Sequence, residues 1–277
     1  HRLNLCRLTF LWDGQEIQSS EMEKVDQTLD LYEGIITSIF TLHGYRTEVK
    51  TICAGDWDVL GIRVDSEALM TGRLTVGMRF PYGCSDITAS DWEQGELHQT
   101  QIIKGDESAS NGKLCFHRIL DRDQYYVTLN RESDSVLSRE NEHGINLRSQ
   151  GGTLVFTLGF SACEQGEAPE FEQVEKNSRR IWKQFWETCG MIDLHRSKDK
   201  RALELERRII LSQYLLNLQS CGSIPPQETG LTCNSWYGKI HLEIYPWHCG
   251  WAPLFNQVHR LEKSLGWYGR HLQKAKE

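Results

Sequence analysis

Apolar and polar positions alternate through the first 160 residues, and beyond that the period becomes helical. Leu3, Leu5, Arg7, Thr9 and Leu11 alternate with their neighbours up to a turn at Asp13-Gly14. Residues 35–42 and 45–52 make two period-2 runs joined by His43-Gly44, a pattern that predicts a β-hairpin. Further strands are expected at 58–64, 73–80, 98–103, 114–119, 124–129 and 153–160. Short strands at regular spacing with polar turns between them predict an antiparallel sandwich, not a parallel α/β sheet.

Near residue 162 the composition shifts. The stretch Glu164-Gln165-Gly166-Glu167-Ala168-Pro169-Glu170 reads as a solvated acidic linker. After it, Val174, Ile181, Trp182, Phe185 and Trp186 fall on one helical face that stops at Gly190. Trp182 and Trp186 read as core residues. Asp199 is placed to cap a longer helix carrying Leu203, Leu205, Ile209, Tyr214, Leu215 and Leu218, closing near Cys221-Gly222. Its charge run at 198–208 reads as a wet face. A third apolar stretch, 239–255, is interrupted at Pro246 and Pro253, and another helix is expected from Val258.

Composition narrows the class. A hydrophobic share of 39 % with 25 % charged residues suits a globular protein with a sizeable core. The net charge is −7 without a basic stripe, which argues against nucleic acid as a partner. No run of eighteen apolar residues predicts a membrane span. The nine cysteines (6, 53, 84, 115, 163, 189, 221, 233 and 249) show no CxxC pair. That pattern predicts free thiols and no zinc site, with one or two disulfides open to an exported protein. Asp56-Trp57-Asp58 and Asp91-Trp92-Glu93 are too sparse in ligands for calcium, so neither a metal nor another cofactor is expected. The first residue is His1, not Met, and the last residues read as helix surface. A fragment of a longer protein is the expectation, and a cytoplasmic location or an exported one with its signal removed both fit.

The chemistry concentrates in residues 225–255. Behind Pro225-Pro226 come Trp236, Tyr237, Lys239, His241, Glu243, Trp247 and His248, with Tyr245, Trp251 and Phe255 among them. Sugars are bound by such mixtures: ring C–H faces stack on aromatic side chains, and hydroxyls bond to charged groups. Glu243 is cast as the group gripping sugar hydroxyls, with Trp236 or Trp247 as the stacking platform. The alternative for Lys239 and Glu243, four apart, is an ion pair on one helix face. His241 and His248, seven apart, would share a face if that helix passes Pro246. Gln227-Glu228 is expected in a loop, solvated or touching a ligand.

The motif Ser235-Trp236-Tyr237-Gly238-Lys239-Ile240-His241-Leu242-Glu243 resembles the opening of the (α/α)6 barrel in six-hairpin glycosidases related to glycoside hydrolase family 65. Gly230-Leu231-Thr232, Tyr237-Gly238 and Glu243 fill the places of the family's Gly-Leu-Thr segment, aromatic-Gly pair and acid. Upstream, Gln27-Thr28-Leu29-Asp30-Leu31-Tyr32-Glu33-Gly34 resembles the family's sandwich segment, where a Leu-Asp-Leu-aromatic-x-Gly run precedes a strand pair. Glu206-Arg207-Arg208 with Leu211-Ser212-Gln213-Tyr214 fits its helical linker. The resemblance implies an N-terminal antiparallel β-sandwich (a supersandwich) over 1–163, a helical linker over 164–222, and the first part of an (α/α)6 barrel over 223–277. Leu242-Glu243 stand where the phosphorylase branch usually has Trp-Asp, which points to a hydrolase-like relative.

The implied activity is inverting hydrolysis of α-glucosides or similar glycosides. Such hydrolysis needs two carboxyl groups. The resemblance places the general acid beyond residue 277, so no catalytic residue is assigned in this chain. The expected partner is an oligosaccharide or glycoside substrate, and the resemblance leaves room for a homodimer. Two alternatives remain: a non-catalytic carbohydrate-binding or structural module, and a glycoside phosphorylase.

Overall fold

The computed structural model describes residues 2–164 and 168–277. Gln165, Gly166 and Glu167 of the expected linker, and His1, lie outside the described residues. The chain divides into two compact units, one holding residues 4–83 and 91–184, the other residues 2–3, 84–90 and 185–277.

The first unit is a sandwich of antiparallel strands: β1 (Arg7–Trp12), β2 (Gln15–Glu16), β3 (Met22–Asp30), β4 (Ile35–Leu42), β5 (Tyr45–Cys53) and β6 (Val59–Ser66). A short helix α1 (Glu67–Met70) follows, then β7 (Leu74–Arg79), β8 (His98–Lys104), β9 (Gly112–Leu120), β10 (Asp123–Arg131), β11 (Ser135–Asn141), β12 (Gly144–Ser149) and β13 (Thr153–Ser161). One sheet runs β11-β12-β7-β1-β2 and the other β3-β4-β5-β6-β13-β10-β9-β8. Phe116, Val127, Leu129, Phe156 and Leu158 from the larger sheet are buried in one core with Leu74, Val76, Met78, Ile145 and Leu147 from the smaller. Period-2 geometry puts alternate residues of each strand on this core.

Every strand expected from the pattern is present, with one shift. Leu3 and Leu5 precede the first strand, which begins at Arg7. The two-residue β2, β3, β11 and β12 were not expected. β3 is an edge strand, exposed along nearly its whole length, so no buried face imposes alternation on Glu23, Lys24, Asp26 and Gln27.

The larger sheet also has an apolar outer face. Ile35, Ile52, Ala54 and Val59 pack with Phe171 and Val174 of α2 (Phe171–Thr188) in a second cluster. Gly61 permits the approach, because a Cβ there would stand 3.1 Å from the Phe171 ring. Glu132 accepts from the Phe171 amide at 2.6 Å and so caps the helix from the end of β10. The flanks of the expected linker are not loose: Pro169 accepts from Thr157 Oγ1 at 2.7 Å, and Ala168 is buried.

In the second unit α3 (Ala202–Ser220) is followed by α4 (Tyr245–Cys249), α5 (Trp251–Leu254) and α6 (Val258–Lys276). Asp199 is not the cap expected of it. Arg201 occupies that position, and the Asp199 carboxylate instead receives the Arg201 amide at 2.9 Å. Nor does α3 bury the apolar set read from its sequence: Tyr214 is buried, while Leu203, Leu205, Leu215 and Leu218 are exposed. No described helix is long and apolar enough to cross a membrane. All nine cysteines are free thiols, and burial pushes Cys6 up to about 12 and Cys221 up to about 11.

Candidate functional site

The loop that follows Pro225-Pro226 is organised by one side chain. Gln227 is buried, and its Nε2 donates to the carbonyls of Gly230 at 3.0 Å and Cys233 at 2.7 Å. Its Oε1 accepts from the Ser235 amide at 3.4 Å. Thr229 adds a bond from its hydroxyl to the Cys233 carbonyl at 2.6 Å. A second anchor is Asn234, also buried, which bonds to the backbone of Asp86 and Ile87 within the same unit. The loop therefore satisfies its own backbone groups before any ligand arrives.

Immediately after Asn234 and Ser235 the backbone enters an uncommon conformation. Trp236, Tyr237 and Gly238 have φ of +46°, +61° and +68°. Left-handed backbone at a bulky aromatic residue costs on the order of 1–3 kcal/mol. Gly238 is required at its place, because a Cβ would stand 2.7 Å from Asn234 Oδ1. The turn holds both aromatic side chains out: Trp236 is 66 % exposed and Tyr237 60 %.

The stretch from 239 onward, expected to be interrupted at Pro246 and Pro253, is already irregular before Tyr245. Ile240 makes an isolated antiparallel bridge with Gln227, a short 3-10 turn covers Leu242–Ile244, and α4 begins only at Tyr245. Lys239 and Glu243 consequently do not share a helix face. Lys239 Nζ instead lies over the Tyr237 ring, 5.9 Å from its centroid. Glu243 is exposed and has no hydrogen bond or ion pair among the described residues. Trp247, on α4, is 81 % exposed. His241 and His248 both reach the loop at 226–228: the His241 amide donates to the Pro226 carbonyl at 3.3 Å, and His248 Nε2 donates to the Glu228 carbonyl at 2.9 Å. The structure thus pairs Tyr237 with Lys239 and ties His241 and His248 to one loop, whereas Trp236, Glu243 and Trp247 stand separately at the surface.

Beneath them the aromatic residues pack as core. Tyr245 donates or accepts a 2.5 Å bond with Ser264 and meets Tyr268 edge-on at 5.7 Å. Burial pushes the Tyr245 hydroxyl up to about 12. Trp251 is buried and meets Phe185 at 6.3 Å. Among the described residues, four buried polar atoms in this region have no hydrogen-bond partner: Asn234 Oδ1, His241 Nδ1, His248 Nδ1 and Trp251 Nε1.

The sequence motif found the aromatic and ionisable groups but missed what holds them. Asn234 and the Gln227 side chain carry no chemistry of their own, and their roles depend on backbone partners that only folding brings near. The Pro-Pro and Gly230 punctuation was the available signal of a tight loop. A cleft of about 1070 Å³ lies elsewhere, in the sandwich unit, among Trp57, Asp58, Phe160, Gln173 and Lys176, and none of the seven expected site residues lines it.

No protein-family model matches the sequence, and no curated protein matches it. Solved structures do. A bacterial glucoamylase complexed with acarbose is matched over 97 % of this chain and 45 % of its own, with a TM-score of 0.56 and 11 % identity. A protein from the human microbiome, assigned provisionally as a kojibiose phosphorylase, is matched over 85 % of this chain and 35 % of its own, with a TM-score of 0.55 and 9 % identity. The chain spans less than half the length of either protein. At these identities the likeness is one of fold: an antiparallel sandwich followed by a helical region.

Proposed function

We propose that this chain is part of a carbohydrate-active protein, and that residues 227–248 supply one wall of a sugar-binding subsite. The observation that carries this reading is the left-handed turn at Trp236-Tyr237-Gly238, which spends conformational energy to hold two aromatic rings in solvent. Exposed rings are stacking platforms for sugar faces, and Lys239, Glu243 and the two imidazoles are the polar groups that would take the hydroxyls. The reaction class that best fits is inverting hydrolysis of α-glucosides or similar glycosides. In this reading the acid and base are supplied by sequence beyond the residues present, and the domains run 1–163, 164–222 and 223–277.

The test is an activity assay on the chain carried into its downstream sequence, against a panel of glucosyl disaccharides with and without inorganic phosphate. The expected result is release of free sugar independent of phosphate. Phosphate-dependent release of a sugar phosphate would assign a phosphorylase instead, and no release from any disaccharide would leave a binding or structural module.

A further inference from the structure

The first unit contains a buried cation with no counter-ion. Arg118 on β9 is completely buried, and among the described residues no carboxylate pairs with it. Its donors go to neutral acceptors: the carbonyls of Gln99 at 2.8 Å and Pro81 at 3.1 Å, the hydroxyls of Thr100 and Tyr125, Nδ1 of His98 at 2.7 Å and, at the longer distance of 3.5 Å, Nδ1 of His143. Its guanidinium also lies over the rings of Phe80 and Tyr125. His98 in turn stacks on His143, from the β11–β12 turn, with centroids 3.8 Å apart and planes within 18°.

These bonds determine where the imidazole protons sit. A guanidinium can only donate, so His98 Nδ1 is an acceptor and carries no proton. A carbonyl can only accept, so His143 Nε2 carries a proton and gives it to the Gly95 carbonyl at 2.8 Å. Thr100 accepts from Arg118 and donates to His143 Nδ1 at 2.7 Å. The chain of donors runs one way, from Arg118 through Thr100 and His143 to the segment before β8.

We propose that Arg118, His98 and His143 form an acid-sensitive latch, which holds the 91–97 segment against the β11–β12 turn at neutral pH and releases both in acid. A second proton on His98 must go to Nδ1, the atom facing Arg118 Nη2, so one of the two cations has to leave. The stacked His143 ring then loses its support, and with it the bond to Gly95. Burial first, then Arg118 and His143, lower His98 to about 4. The latch is therefore fully closed above the ring's ordinary value near 6.5 and is lost as pH falls toward 4. The other groups facing the latch do not offset this. Tyr82 stands 5.9 Å from His98 with its hydroxyl given to Asp121, Tyr125 donates to the Leu5 carbonyl, and Arg79 is paired with Glu140. Asp91, Glu96 and Glu142 line the adjoining cleft of about 380 Å³ with His143, and none bonds to Arg118. Opening would reshape that cleft.

The latch stands apart from the sugar reading, and its test needs no ligand. Histidine-selective nitrogen NMR on the whole chain from pH 8 to 4 is combined with amide hydrogen exchange corrected for intrinsic rate. The expected result is an unprotonated His98 Nδ1 through pH 6, with protection in 92–97 and 142–144 falling roughly tenfold or more toward pH 4. The β4–β5 hairpin should stay protected. His98→Gln keeps an acceptor for Arg118 and cannot titrate, so its protection should be flat over this range. Titration of His98 near 6.5 with unchanged protection would overturn the proposal, as would a His98→Gln protein that still loses protection in acid. The wild-type titration decides alone if the variant does not fold.

Discussion

Replacing Gly34 by Val is expected to destabilise the sandwich unit by about 3 kcal/mol, from two terms that act together. Gly34 closes the turn between β3 and β4 with φ of +70°, its amide bonded to the Asp30 carbonyl at 2.8 Å. Asp30 builds the turn from the other side, its carboxylate accepting from the amides of Tyr32 at 2.8 Å and Glu33 at 3.1 Å. A side chain at Gly34 would adopt an unfavourable left-handed backbone, costing about 1 kcal/mol. Its Cβ would also stand 2.2 Å from the indole of Trp182 and 2.8 Å from Ser178 Oγ, both on α2. That collision forces α2 off the sheet and disturbs the bond from Ser178 to the Glu33 carbonyl. Gly44 is the control. It has φ of +88° with open space around its Cβ position, so Gly44→Val should show the backbone term alone. Urea unfolding of the two variants checks this: a Gly34 effect no larger than the Gly44 effect would remove Trp182 from the explanation.

The second large effect is expected at Gln227. Truncation to Ala removes the Gln227 bonds to the carbonyls of Gly230 and Cys233 and to the amide of Ser235, in a position that water reaches poorly, and leaves the Gly230 carbonyl with the bond from Arg2 Nη1 at 2.8 Å. An orphaned buried group costs about 1–3 kcal/mol, so the loop should lose most of its local stability. Thr229 retains one bond to the Cys233 carbonyl, which limits the damage to the loop itself. Amide exchange is the direct readout: residues 229–235 should exchange like an open loop in Gln227→Ala, while the sandwich strands keep their protection. Unchanged exchange at 229–235 would mean that Asn234 and Thr229 suffice.

How much of this was legible depends on whether a residue's neighbours in sequence are also its neighbours in space. The β4–β5 hairpin was readable because both strands have a buried face and the turn takes His43-Gly44, with φ of +49° and +88°. β3 and β11 were not, because edge strands with exposed charged residues carry no alternation. Pro246 was read as an interruption, yet it sits in the first turn of α4, where its missing N–H is no loss. The aromatic motif was legible as composition, but its geometry was not. A shared helix face was weighed for Lys239 and Glu243 and for His241 and His248, whereas residues 239–255 fold as a β-bridge, a 3-10 turn and two short helices. Arg118 gave no signal at all: a lone arginine in an alternating strand reads as exposed, and only long-range partners explain its burial.

The central claim, that residues 227–248 bind sugar, is tested most directly by calorimetric titration of the chain, carried into its downstream sequence where the gene continues, with glucosyl disaccharides. Wild type is run beside Glu243→Ala and Trp247→Ala, both exposed positions whose loss should leave the fold intact. The account predicts saturable binding by wild type that weakens about tenfold or more in each variant, the loss expected for a stacking ring or a charged hydrogen bond. Binding unchanged in both variants, or absent for every sugar, would contradict it and leave the exposed aromatic residues without a role in sugar binding.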